Sequence, residues 1–165
     1  MTLARSAAKP VQALAILETG EVERFNFDDA DLAFKCASNS SEERHIARAR
    51  SMLSKAEASD DDLRYRGHPP LSETVCSNRS GKHVGIIAGA KVLGGDVADY
   101  HLSTHPVQMH VTRVVDKVCG LGENGSVWGP DGCNLPAPAF ELHYLPRMNA
   151  KFAAAAESSE RMAAM

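Results

Sequence analysis

The clearest periodic pattern of hydrophobic and polar positions lies between Glu42 and Ala58. Apolar residues recur there three or four positions apart and charged residues occupy the other faces, as in a helix that packs along one side. Ser40 and Glu43 have the S-x-x-E spacing of a capping box, which marks a helix start. The pattern therefore predicts a helix over Glu42–Ala58 with a buried stripe formed by Ile46, Ala49, Leu53 and Ala56.

The segment before this helix allows two interpretations. Apolar runs flank a turn-forming glycine, which favours a hairpin over Val11–Phe27 with its turn at Gly20. A helix through Ala13–Leu17 is the competing interpretation. After it, Asp28-Asp29 can cap a short helix that reaches Cys36.

The second half of the chain favours short strands. The apolar runs His83–Ile87 and Lys91–Leu93 are brief, and Val107–Val115 alternates between apolar and polar positions like a half-buried strand. Phe140–Tyr144 alternates in the same way. The glycine-rich stretch Gly120–Gly132 between them is expected to be a long loop.

Together these patterns predict an α+β fold, in which one packed helix covers a small, mostly antiparallel sheet and a second helix ends the chain. The terminal helix is expected over Met148–Met165, which is rich in alanine. We expect a single domain over residues 1–165. A boundary between two lobes would fall at residues 57–72, where the sequence turns acidic and then proline-rich.

Composition narrows the class of protein. The chain has 165 residues, of which 44% are hydrophobic and 24% charged, as in an ordinary globular domain. The net charge is −3 and neither half is basic, which argues against nucleic-acid binding. No apolar run approaches the roughly 18 residues that a membrane helix needs.

The four cysteines indicate the compartment. They are widely spaced and form no CxxC pair, so we expect reduced thiols and a cytoplasmic location. Residues 1–17 contain Arg5, Lys9 and hydroxyl side chains but no acid, which leaves organellar targeting open.

Histidines supply the first candidate chemistry, because imidazole is a common ligand of divalent metals. His101, His105 and His110 are close in sequence, and His143 could join them. Pro106 keeps His105 out of the helical conformation, so a metal would need ligands from separate segments. A divalent metal at these four histidines is therefore one hypothesis.

A second candidate is the loop from Cys76 to His83. Its small and basic residues can present backbone N–H groups and positive charge to an anion, with Cys76, Arg79, Gly81 and Lys82 as the binding residues. Cysteine stands where a phosphate-binding loop has its first glycine, and histidine where that loop has Ser or Thr. A surface turn is the alternative interpretation.

No complete catalytic constellation emerges from the sequence. We therefore expect a non-catalytic structural or protein-interaction subunit of a larger assembly, with a protein partner or a second copy of the chain contacting the loop of Trp128 and the Met148–Met165 helix. One alternative is a metal-dependent hydrolase or lyase that uses the histidines. Another is a small anion- or nucleotide-binding module that uses Cys76–Lys82.

Overall fold

A computed structural model describes residues 1–64, 74–122 and 125–155. Its helices are α1 (Lys9–Leu17), α2 (Glu21–Phe25), α3 (Asp29–Cys36), α4 (Glu43–Lys55), α5 (Ser80–Val92), α6 (Pro106–Cys119) and α7 (Tyr144–Ala153). Its strands are β1 (Thr2–Leu3), β2 (Val127–Pro130) and β3 (Pro136–Phe140). Short 3-10 helices cover Arg5–Ala8, Asp60–Asp62, Thr74–Cys76 and Val97–Asp99.

The sheet is small and antiparallel, with strand order β1-β3-β2. The first residues of the chain pair with the end of β3, where Thr2 is opposite Phe140. On the other side, Trp128 of β2 is opposite Pro138. Because β1 leads directly into the Arg5–Ala8 helix, this pairing fixes where α1 begins.

Helix α5 is the centre of the core and is packed against by α1, α3, α4 and α6. Every residue from Ser80 to Ala90 is buried. The prediction of strands at His83–Ile87 and Lys91–Leu93 is wrong, because a helix buried on all sides has no polar face and leaves only short apolar runs in the sequence. Gly81 lets α5 approach α3 closely, since a Cβ there would overlap the Phe34 carbonyl.

Helix α6 also replaces a predicted strand, the one at Val107–Val115. Pro106 occupies its first turn, where a missing N–H costs nothing. His105 caps the helix, since its Nδ1 accepts a hydrogen bond from the backbone N–H of Val107 at 3.1 Å. Gly120 ends the helix in the left-handed conformation, with φ of 73°.

The helices of the first half agree better with the sequence. The predicted Glu42–Ala58 helix is confirmed as α4, although its N-cap is Glu42 and no side chain caps it. Asp28 caps α3 as predicted and forms a capping box with Asp31. The hairpin over Val11–Phe27 is wrong, because the competing helix forms instead as α1.

The predicted α+β class is confirmed: helices pack with a small antiparallel sheet, and the described part ends in a helix, α7. The terminal helix begins earlier than predicted, at Tyr144, while residues 156–165 lie outside the described residues. Half of the predicted lobe boundary at 57–72, residues 65–72, lies outside them as well, so the domain organisation stays a prediction. None of the described helices has the length and apolarity to cross a bilayer.

Candidate active site

A small opening at the N-terminal end of α5 gathers residues from three separate parts of the chain. The Arg5–Ala8 helix and the start of α1 form one wall, the beginning of α5 forms the second, and the loop after β2 forms the third. Lining the opening are Arg5, Ser6, Lys9, Arg79, Lys82 and Asp131. Four of these side chains are basic and one is acidic, so the opening favours a ligand that carries negative charge or develops it.

Ser6 and Lys9 are three residues apart where the Arg5–Ala8 helix continues into α1. This spacing places both side chains on one face of a helical turn, and both line the opening. Arg5, immediately before Ser6, has a positive φ of 44°. Such a backbone conformation is costly for any residue other than glycine and often occurs at functional sites.

Lys9 is a buried amine at this opening, with 4% of its surface exposed. Its Nζ donates hydrogen bonds to the carbonyl oxygen of Ala37 at 2.8 Å and to Oγ of Ser38 at 2.7 Å. Burial lowers the pKa of Lys9, and the positive charges of Lys82 and Arg79 lower it further. A lysine with a lowered pKa can lose its proton and act as a base.

Lys82 and Asp131 form a buried ion pair beside Lys9, with 3.1 Å between Nζ and Oδ2. Oδ1 of Asp131 accepts hydrogen bonds from the backbone N–H of Cys133 at 2.8 Å, from its thiol at 2.9 Å and from the N–H of Leu135 at 3.2 Å. Burial raises the pKa of Asp131, but Lys82 and these hydrogen bonds outweigh it and lower the pKa to about 2. Asp131 is therefore ionised at neutral pH and holds Lys82 in place.

The buried side chain of His83 also contacts the loop that carries Asp131. Its Nδ1 lies 2.6 Å from Oη of Tyr100, which also accepts a hydrogen bond from the N–H of Arg64 at 2.9 Å. The imidazole forms a further hydrogen bond with the backbone of Cys133, and burial holds its pKa well below the ordinary value. Burial also raises the pKa of the Cys133 thiol, to about 11, so Cys133 is a neutral thiol at pH 7.

Comparison with known protein families decides the class of protein. A family model described as L-asparaginase II matches residues 1–165. This chain belongs to the L-asparaginase II family. No curated protein matches the sequence.

The family match corrects the predicted function. A non-catalytic structural or protein-interaction subunit is wrong, because an enzyme family covers the whole chain. Its two alternatives, a metal-dependent hydrolase or lyase and an anion- or nucleotide-binding module, are set aside with it. The sequence favoured a non-catalytic role because the segment with Ser6 and Lys9 was interpreted only as a possible targeting segment. The expected protein partner or second copy stays a prediction.

Only some of the predicted anion-binding residues lie at the opening. Arg79 and Lys82 line the opening. Cys76 does not line it; it lies half-buried in a 3-10 helix, and its carbonyl oxygen accepts a hydrogen bond from Ser41. Gly81 serves the packing of α5 on α3. Two of the four predicted residues thus reach the opening, and anion binding by this set stays a prediction.

The four predicted metal-ligating histidines do not come together. His105 caps α6, and its Nε2 lies 3.1 Å from the carbonyl oxygen of Asp96. Nε2 of His110 lies 2.9 Å from the carbonyl oxygen of Ala15. The exposed His143 is near Glu141, while His101 lines a different cavity together with Trp128. Within residues 1–64, 74–122 and 125–155, no group of three His, Cys, Asp or Glu side chains is placed to hold a metal.

Sequence reasoning missed Ser6, Lys9 and Asp131 as site residues. Ser6 and Lys9 were considered only as part of a targeting segment, yet Ala8, Val11 and Leu14 around them belong to the core. The Ser-x-x-Lys spacing, which pairs a nucleophile with a base in serine amidohydrolases such as β-lactamases, is the signal that identifies them. Asp131 has no comparable local signal, because its partner Lys82 is 49 residues away.

Proposed function

We propose that this opening is the active site of an amidohydrolase that cleaves the side-chain amide of L-asparagine, with Ser6 as nucleophile and Lys9 as general base. The family is described as L-asparaginase II, which suggests the substrate. The observation that carries the proposal is the placement of Ser6 one helical turn from a buried lysine whose pKa is lowered, at a shared opening. A serine hydroxyl is a weak nucleophile until an adjacent base removes its proton.

The first half of the reaction transfers the acyl group to the protein. Neutral Lys9 accepts the hydroxyl proton of Ser6 while Oγ attacks the amide carbon and forms a tetrahedral intermediate. The C–N bond then breaks, and the leaving nitrogen takes the proton from Lys9. Ammonia departs and the aspartyl group remains bound to Ser6 as an ester.

The second half hydrolyses this ester. Lys9, neutral again, accepts a proton from water, and the hydroxide equivalent attacks the ester carbonyl. The C–O bond to Ser6 breaks, and Lys9 returns a proton to the serine oxygen. The new side-chain carboxylic acid gives its proton to ammonia as the product leaves, so one asparagine and one water give one aspartate and one ammonium.

The Lys82–Asp131 pair supplies charge at a fixed position. Both tetrahedral intermediates place a negative charge on the former carbonyl oxygen, and preorganised positive groups stabilise such an oxyanion. Lys82 lines the opening and is held at 3.1 Å by Asp131. Lys82 also lowers the pKa of Lys9, so the same ammonium helps to keep the base unprotonated.

Ammonia release from L-asparagine by the purified chain tests this proposal. We expect the wild-type protein to release ammonia, and Ser6→Ala to lower kcat by at least about a thousandfold. Ser51→Ala is the matched control, because Ser51 is exposed on α4 and does not line the opening. Full activity of the Ser6→Ala protein would remove Ser6 from the mechanism, and a wild-type chain that releases no ammonia would contradict the proposed activity.

A further inference from the structure

Arg79 precedes α5 and is half-buried at the opening. It lies on the same wall as Lys82, and its guanidinium faces the loop that carries Asp131: a Cβ on Gly132 would lie 3.4 Å from Nη1 and 3.8 Å from Nη2 of Arg79. The guanidinium is thus positioned by the packing of α5 against this loop.

Arg79 differs from the two lysines of the opening in having its hydrogen-bonding groups available. Lys9 donates to Ala37 and Ser38, and Lys82 to Asp131. Within the described part of the chain, the Arg79 guanidinium has no hydrogen-bond or salt-bridge partner. A half-buried guanidinium without a partner at a ligand opening is suited to a planar anion, because its N–H groups match the two oxygens of a carboxylate.

We propose that Arg79 binds the α-carboxylate of the substrate and thereby restricts the enzyme to free amino acids. This inference rests on the proposed amidohydrolase function and deepens it. The α-carboxylate carbon and the scissile amide carbon of L-asparagine are joined through only two intervening carbons, so two residues that line the same opening, Arg79 and Ser6, are suited to contact the two groups. Arg79 is then a specificity-determining residue, while Ser6 and Lys9 carry the chemistry.

Binding measured without turnover tests this assignment. Titration calorimetry on the Ser6→Ala protein compares L-asparagine with L-asparagine methyl ester, which keeps the amide but lacks the charged carboxylate. We expect tighter binding of the free amino acid by about ten- to a hundredfold, which corresponds to a charge-assisted hydrogen bond. Adding Arg79→Gln should remove most of this preference, and Arg79→Lys should retain part of it.

The control is Arg113→Gln in the same Ser6→Ala protein, since Arg113 is exposed on α6 and does not line the opening. This variant should keep the full preference for the free amino acid. An unchanged preference in both Arg79 variants would overturn the assignment and leave the proposed function standing. A Ser6→Ala protein that binds neither compound would overturn both proposals together.

Discussion

The ammonium of Lys82 lies 3.1 Å from Oδ2 of Asp131, and the two side chains are only 5% and 9% exposed. The pair joins the first turn of α5 to the loop between β2 and β3. A buried ion pair contributes little net stability, yet losing one partner leaves an uncompensated buried charge. Its main consequence here is positional, because it fixes two of the three walls of the opening relative to each other.

Removing the charge of Asp131 should therefore destabilise the fold. We expect Asp131→Asn to lower the free energy of unfolding by about 2–4 kcal/mol at pH 7, since Lys82 then lacks its counter-ion. Urea denaturation followed by circular dichroism measures this difference. Asp99→Asn is the control, because Asp99 is exposed, and it should change stability by no more than about 0.5 kcal/mol.

The same pair predicts a dependence of stability on pH. The native pKa of Asp131 is about 2 against an ordinary value of 3.8, so the folded protein binds this proton less tightly than the unfolded chain does. The stabilisation is then fully present above pH about 3.8 and is lost as the pH falls towards 2. The gap in unfolding free energy between wild type and Asp131→Asn should narrow over that range, and a constant gap would contradict this account.

Lys9 must be neutral to act as a base, so activity should increase with pH. Its pKa is lowered by burial and by Lys82 and Arg79, which means that the increase occurs below the ordinary lysine value of 10.5. Lys9→Arg should lower kcat by about a hundredfold or more, because a guanidinium stays protonated. Steady-state ammonia assays across pH measure both effects. Lys117→Arg is the control, because Lys117 is exposed on α6. A Lys9→Arg protein with nearly normal kcat would contradict the assignment of Lys9 as the base.

A second buried ion pair joins Lys35 to Glu21, which are 2% and 0% exposed and do not line the opening that holds Ser6. Burial raises the pKa of Glu21 despite the opposing charge of Lys35. Glu21→Gln and Lys35→Met should each cost about 3–5 kcal/mol of stability, since each leaves a buried group without its partner. The double variant should cost clearly less than the two together, as a double-mutant cycle in urea would show. Additive costs would mean that the two side chains do not interact.

Gly81 gives a test of the packing between α5 and α3. A Cβ at this position would overlap the backbone carbonyl of Phe34, which cannot move aside like a flexible side chain. We expect Gly81→Ala to lower stability by about 2–3 kcal/mol or more, although alanine normally favours a helix. Gly122→Ala is the matched control, because a Cβ there meets nothing within 4 Å. A stable Gly81→Ala protein in thermal unfolding would contradict this close packing.

The success of the sequence-based prediction depended on how each helix is buried. Helix α4 has a one-sided stripe, and its periodicity identified it. Helix α5 is buried on every side, so periodicity alone could not separate it from short strands. Helix α6 does bury its valines at helical spacing, yet the alternation at its start and the β-branched side chains favoured a strand. In both helices, burial in the tertiary structure outweighed the local preference of the sequence for strands.

The site was only partly visible in the sequence, for a related reason. Arg79 and Lys82 stood out because they lie in a short segment of small and basic residues, and Ser6 with Lys9 could have been found from their spacing. Asp131 gains its role only when the β2–β3 loop folds against α5. Three segments that are far apart in the chain therefore form one site that no local pattern contains.

The most direct test of the central claim is the identity of the residue that is acylated during turnover. The wild-type protein is quenched in acid during hydrolysis of L-asparagine, digested and examined by peptide mass spectrometry. The account predicts a peptide containing Ser6 that is heavier by one aspartyl residue, and its absence in the Ser6→Ala protein. An aspartyl ester on another serine such as Ser38, an aspartyl thioester on Cys133, or turnover that persists in Ser6→Ala, would contradict it.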